Sequence, residues 1–321
     1  MSAPRQHVLV HTHTVAAPAG VVYGLVADTT RWPVIFGPTV HVHHLERSPG
    51  RERFQMWAYV NGEVKTWISR RTLDEAQLCI RFQQERSQAA VASMGGQWLF
   101  RPLPGGRTEV VLEHHLAAVD DDAEAVQLLT AAVNRNSPDE LAVLGRVAEL
   151  GYPIEEIVFS FEDSVPVTGS AADAYRFVHR ADLWPTRLPH VNRVDLQEEQ
   201  PGIQNMEMDT VTPDGLCHTT RSVRLCFPEE SIVYKQLTPP AMLLGHSGAW
   251  RFGAGGTVTA THMVALDPAA VRGHPSPATT VADARAYFRQ ALGANSRTTL
   301  SYAGTFTPAA SVPAGEDRPP S

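Results

Sequence analysis

Residues 27–33, Ala-Asp-Thr-Thr-Arg-Trp-Pro, are echoed by 180–185, Arg-Ala-Asp-Leu-Trp-Pro, so that Trp32 and Trp184 stand 152 positions apart. Gly96-Gln97-Trp98 returns as Gly248-Ala249-Trp250 at the same offset, and Ser69-Arg70-Arg71 returns as Ser222-Val223-Arg224 at 153. Agreement at one spacing points to a tandem duplication. The junction is expected near Gly151-Tyr152-Pro153, giving halves 1–151 and 152–304 and a Pro-, Ala- and Gly-rich tail, 305–321, read as disordered. The 321 residues suit two domains, and 43% hydrophobic against 19% charged residues supports packed cores.

Each half has one order of elements. Thr12, Thr14, Val8 and Val10 alternate at period two, a strand. A short helical stretch with Val22, Leu25 and Val26 on one face follows and ends at Pro33 and Pro38. Strand-like runs then cover about 39–47, 52–60, 63–73, 77–85, 96–103 and 107–117, punctuated by Pro49-Gly50, Asn61-Gly62 and Gly105-Gly106. A long helix is expected over 122–149. Ser137-Pro138-Asp139-Glu140 reads as a fresh cap, so a kink is expected there. The second half repeats the plan, closing with a helix over 278–301. The fold class is α+β: two tandem helix-grip domains, each a curved antiparallel sheet around a long C-terminal helix, with room inside for a small molecule.

Composition removes several functions. The 27 basic and 34 acidic residues give a net charge of −7 without a basic stripe, which argues against nucleic acid as a partner. No apolar run approaches the ~18 residues of a membrane span, and the first residues carry no signal-peptide pattern. Cys79, Cys217 and Cys226 lack CxxC spacing, so neither disulfides nor a zinc site is expected, and a reducing cytoplasm is the simplest compartment. The His-x-His pairs put two imidazoles on one strand face, yet no carboxylate or thiol spacing accompanies them, and no metal is expected.

Trp32-Pro33-Val34-Ile35-Phe36 with Trp67-Ile68-Ser69-Arg70-Arg71, and Trp184-Pro185 with the run Pro213 to Arg224, resemble motifs of START/Bet v 1-type domains. In tandem over residues 5–303, they resemble the di-domain aromatase/cyclases of bacterial type II polyketide synthases. The resemblance implies chemistry without a cofactor. A carrier-bound poly-β-ketone would close its first ring between C7 and C12 by aldol addition, or a closed ring would lose water and become aromatic. It implies as partners an acyl carrier protein bearing the substrate, with transient contact to the minimal polyketide synthase and a ketoreductase.

Arg71 and Arg224 are the candidate donors to a carbonyl oxygen, with Ser69 and Ser222 beside them on the same strand face. Trp32, Phe36, Trp57 and Trp67 are expected to wall the first cavity. Trp184, Leu188 and Thr220 are expected to wall the second, leaving it less aromatic. Single-domain relatives place a Tyr seven residues after the Trp of Trp-Pro. Here those positions hold Thr39 and Val191, so His41 and His43, read as sharing a face with Thr39, and His218 become the candidates for proton transfer. A non-catalytic carrier of an apolar ligand is the rival function. A hydrolase or lyase lacks a nucleophile–base pair.

Overall fold

The computed structural model describes residues 4–86, 90–211, 217–253, 255–273 and 278–307, with Arg86 described in its backbone alone. The Pro213–Leu216 part of the second motif, and the expected disordered tail beyond 307, lie outside the described residues.

Strand alternation and turn chemistry build two antiparallel sheets of the same design. In the first half these are β1 (His7–Val15), α1 (Ala19–Ala27), α2 (Trp32–Ile35), β2 (Thr39–Ser48), β3 (Arg51–Val60), β4 (Glu63–Asp74), β5 (Cys79–Arg86), β6 (Val91–Leu103), β7 (Arg107–Ala118) and α3 (Ala123–Ala148). The second half contains α4 (Ile154–Ile157), β8 (Val158–Pro166), α5 (Ala171–His179), α6 (Trp184–Arg187), β9 (Val191–Gln200), β10 (Ile203–Val211), β11 (Cys217–Phe227), β12 (Ser231–Thr238), β13 (Leu243–Gly253), β14 (Thr257–Leu266), α7 (Pro268–Gly273) and α8 (Val281–Thr305). Strand orders are β1-β7-β6-β5-β4-β3-β2 and β8-β14-β13-β12-β11-β10-β9. The chain is an α+β pair of helix-grip units, with α3 laid over β1 and β7 and α8 over β8 and β14. Among the described residues no helix is long and apolar enough to cross a membrane.

The structure adds local detail to these expectations. In β1 it is Val8 and Val10 that face solvent, while His7, Leu9, His11 and His13 turn inward. His11 meets Asn134 of α3 at 3.0 Å, and Gly145 of α3 gives His13 room. The long helix is a single element with Pro138 inside, and its cap is Asp122, whose carboxylate accepts from the backbone N–H groups of Glu124 and Ala125. The helix α8 carries a full capping box between Thr280 and Asp283.

The two halves share a core. Val40 and Val64 of the first pack with Val223, Leu225, Val233 and Ala249 of the second. Trp57 meets Phe227 edge-on with ring centroids 5.6 Å apart. Segment α2 lies against β13, where a Cβ on Gly245 would stand 2.3 Å from the carbonyl oxygen of Val34. Only glycine permits that approach of one backbone to another.

Candidate active site

The repeated arginines arrive as strand alternation requires. Ser69 and Arg71 on β4, and Ser222 and Arg224 on β11, are buried on the inner faces of their sheets. Trp67 lies on the same row, half-buried. Above each arginine lies the tryptophan of its Trp-Pro segment, with the guanidinium carbon 4.9 Å from the Trp32 ring and 5.4 Å from the Trp184 ring.

The two arginines are held differently. Arg71 donates through Nε to Glu52 (2.7 Å) and through its terminal nitrogens to the carbonyls of Val26 and Ala27 (both 2.8 Å). The other oxygen of Glu52 lies 3.1 Å from His44. Burial works against the charge of Arg71, and Glu52 offsets much of that. Arg224 donates to the amide oxygen of Gln204 (2.8 Å) and the carbonyl of Val178 (2.6 Å). Burial lowers its pKa too, with no carboxylate in contact to counter it. Two of its five N–H donors are committed, leaving the guanidinium free to serve a ligand oxygen.

Arg224 and Ser222 open on a cavity of about 150 Å³ in the second half. Its wall includes Trp184, Met206, Thr220 and Trp250, with Leu292, Ser296 and Thr299 of α8 across it. A space of that size holds one six-membered ring. A larger hollow, about 870 Å³, is instead a groove over the outer face of the first sheet, lined by charged side chains including Arg53, Arg70, Arg81 and Glu85. Mostly apolar walls with a few converging polar groups suit ring chemistry better than a groove lined by charge, which favours the smaller cavity as the site.

The cavity also holds groups that no sequence motif announced. The Tyr234 hydroxyl lies 3.0 Å from Nδ1 of His262, and Nε2 of His246 lies 3.1 Å from the same atom. A proton on His262 Nδ1 is shared between the Tyr234 oxygen and the His246 Nε2 lone pair, an assignment that serves both contacts. The ring's lone pair then sits on Nε2, a buried atom with no protein partner among the described residues. Nδ1 of His190 and Oε1 of Gln236, on the same cavity wall, are also buried and unpartnered. Burial pushes His246 down to about 3 and His262 to about 4, so both imidazoles are neutral near pH 7, and burial raises the Tyr234 hydroxyl. A neutral imidazole lone pair facing the cavity is a base for a carbon-bound proton, and the imidazolium so formed is an acid for a departing hydroxyl.

The first half has a different layer at the same place. Tyr234, Gly248 and His262 sit on one rung of three strands, as do Phe82, Gly96 and His114. A Cβ on Gly248 would meet the Tyr234 hydroxyl at 2.5 Å, and one on Gly96 would meet the Phe82 ring at 2.9 Å. Each glycine lets an aromatic side chain cross its strand, and in the first half that side chain has no hydroxyl. His246 is likewise matched by Met94, each paired with a residue two beyond the rung histidine. The first half offers instead His114, lowered to about 4 chiefly by burial, and Glu140 on α3, half-buried and without a hydrogen bond, raised by burial to about 7.

Several expected positions move. A register break between Thr39 and His41 turns His41 and His43 to the outer face, because the extra residue reverses the alternation. There His41 stacks with Trp57 at 5.3 Å in the contact between halves. Trp57 therefore joins the two halves and does not wall the first cavity. Trp32, Phe36 and Thr39 are buried, the first two packed edge-on at 5.4 Å. Leu188 is buried in the second core. His218 lies on the inward row of β11 at its exposed end, opposite Thr210.

Comparison with known proteins places this arrangement among relatives. A family model described as polyketide cyclase/dehydrase and lipid transport matches residues 15–134. The chain is 54% identical over 313 residues to the actinorhodin polyketide synthase bifunctional cyclase/dehydratase of Streptomyces coelicolor, spanning 94% of this chain and 98% of the relative. It is 49% identical over 307 residues to the granaticin polyketide synthase bifunctional cyclase/dehydratase of Streptomyces violaceoruber, spanning 94% and 95%. Among solved structures it is similar to the di-domain ARO/CYC BexL from the BE-7585A biosynthetic pathway, with a TM-score of 0.80 at 45% identity over 93% of this chain and 97% of the other.

Proposed function

The chain belongs to the polyketide cyclase/dehydrase family, as a two-domain aromatase/cyclase, and from that premise we propose how its two halves, 1–151 and 152–304, divide the work. The enzyme acts on a poly-β-ketone held by an acyl carrier protein, received from the minimal synthase or after a ketoreductase. It sets the first ring between C7 and C12. The cavity of the second half takes that ring and completes its dehydration to the aromatic state.

The chemistry follows from the groups present. Arg224, with Ser222 beside it, holds a ring carbonyl oxygen and stabilises the enolate that forms when the neighbouring carbon loses a proton. Nε2 of His262 takes the proton from that carbon and hands it to the departing β-hydroxyl, which leaves as water and returns the imidazole to its neutral form. Tyr234 and His246 fix the tautomer of His262 and share the charge change along their hydrogen bonds. Trp184 and Trp250 keep the ring flat and water out. In the first half Trp32, Trp67, Ser69 and Arg71 surround the chain during closure.

The observation that carries this proposal is the unpartnered Nε2 of His262 in the cavity of Arg224. The test is reconstitution with a minimal synthase and analysis of products by mass and absorbance. His262→Gln and Arg224→Met are expected to accumulate cyclised, hydrated material at the expense of the aromatic product. Unchanged aromatisation in both variants, or tight stoichiometric retention of a finished hydrophobe by the wild-type protein with no effect on products, would overturn it.

A further inference from the structure

Strand β12 has two working faces. Tyr234 and Gln236 point into the cavity. Lys235, between them, points the other way and crosses into the first half, where its ammonium donates to the carbonyl oxygens of Phe36 (2.7 Å) and Thr39 (2.8 Å). Lys235 is 5% exposed and makes no salt bridge with a carboxylate among the described residues. A buried cation served only by carbonyls is costly to keep, because burial penalises its charged form. Hydrophobic packing alone would hold the halves more cheaply, and Val40, Val64, Val223, Leu225 and Val233 already supply it.

The neighbouring strand repeats the pattern. On β13, Gly245 admits the backbone of Val34 on the outer face, and the next residue, His246, lines the cavity on the inner face. Ser247 then donates to the carbonyl of Tyr234 at 2.9 Å, tying the two strands together. One thickness of sheet thus separates the Trp32–Thr39 segment from two members of the Tyr234–His262–His246 chain.

We propose that Lys235 is a positioning residue that couples the halves: seating Phe36 and Thr39 on the outer face of β12 and β13 sets the places of Tyr234 and His246 on the inner face. The second cavity then works only while the first half is docked on its wall. This rests on the role given above to the cavity. A shift of about 1 Å in a positioned group costs on the order of 10- to 100-fold in rate.

The experiment uses the full chain. Lys235→Met keeps length and removes the donor. Phe227→Ala loosens the same contact from its edge, against Trp57, without touching Lys235 or the cavity. Both variants are expected to lose aromatisation by about 10-fold or more in kcat with KM within about twofold, while circular dichroism stays native. The ring resonances of His246 and His262 shift in both, and that readout needs no turnover. Lys235→Gln, which retains an N–H donor, is expected to recover part of the rate. Native ring resonances and native kcat in folded Phe227→Ala overturn the coupling whether or not Lys235→Met folds. If His262→Gln is fully active while the resonances still shift, the catalytic assignment fails and the coupling stands.

Discussion

Glu52 and Gln204 stand 152 residues apart, each facing the arginine of its own sheet, at 2.7 Å from Arg71 and 2.8 Å from Arg224. One carboxylate against one amide makes the two sites electrically unequal. The first guanidinium is neutralised by a buried partner, and the second keeps its charge for a ligand. Glu52→Gln should therefore behave as a broken buried ion pair, destabilising the first half by roughly 3–5 kcal/mol. Gln204→Glu should be stable but slow, because it cancels the field that an enolate needs. Denaturant titration and product analysis on the same two variants check both outcomes.

Removing Tyr234's hydroxyl leaves the His262 ring without one of the contacts that set its tautomer. Tyr234→Phe, which copies Phe82 of the first half, should cost about tenfold in aromatisation, the worth of one hydrogen bond of ~1 kcal/mol or slightly more. His262→Gln should cost about 100-fold or more, the usual contribution of a positioned acid. A ranking in the opposite order would move the proton-donating role to Tyr234.

Much of this was legible in the chain, and the failures have physical causes. Matching Trp-Pro segments and Ser-x-Arg strands at one offset reveal two equal units, and period-two alternation places Ser69 with Arg71 and Ser222 with Arg224. His41 and His43 were misplaced because a one-residue register break leaves no mark in composition. Trp57 was assigned to a cavity because alternation cannot say which sheet face another domain covers. Tyr234, His246 and His262 come from three strands and form no short motif. The available signal was glycine: Gly96 and Gly248 interrupt apolar strands at matching places, and such a position invites an aromatic side chain from the neighbouring strand.

Acid should act on the second cavity. His246 and His262 have folded pKa values of about 3 and 4, below the ordinary 6.5. The unfolded chain binds protons on both imidazoles as pH falls below 6.5, while the folded protein resists until about 4. Their contribution is thus fully present above 6.5 and is lost as pH falls through that window. His246→Gln should flatten this limb of a stability–pH curve measured by urea unfolding, and a limb unchanged in the variant would contradict neutral burial.

Lys235 should act at the alkaline end. Its folded pKa of about 7 lies below the ordinary 10.5 because of burial. Between those values the unfolded chain holds a proton that the folded protein has shed, so stability rises with pH from about 7 to 10.5. The rise is on the order of 5 kcal/mol. Lys235→Met should remove it, leaving a flat curve across that window.

Glu140 makes the converse case in the first half. It lies on the inward side of α3 with no hydrogen bond, three residues beyond buried Ser137, and burial raises its pKa from 4.5 to about 7. Here the folded protein holds the proton longer than the unfolded chain. Stability from this group is complete below 4.5 and declines as pH rises toward 7, by on the order of 3 kcal/mol. Glu140→Gln keeps the neutral shape and should abolish the decline, leaving the variant more stable than wild type at pH 8. If the carboxyl also exchanges a proton with the poly-β-ketone during ring closure, the same variant will slow cyclisation while aromatisation of a supplied, already closed ring proceeds at the wild-type rate. Stability and activity would then change in opposite directions, a combination that loss of packing cannot produce, because a packing defect lowers both.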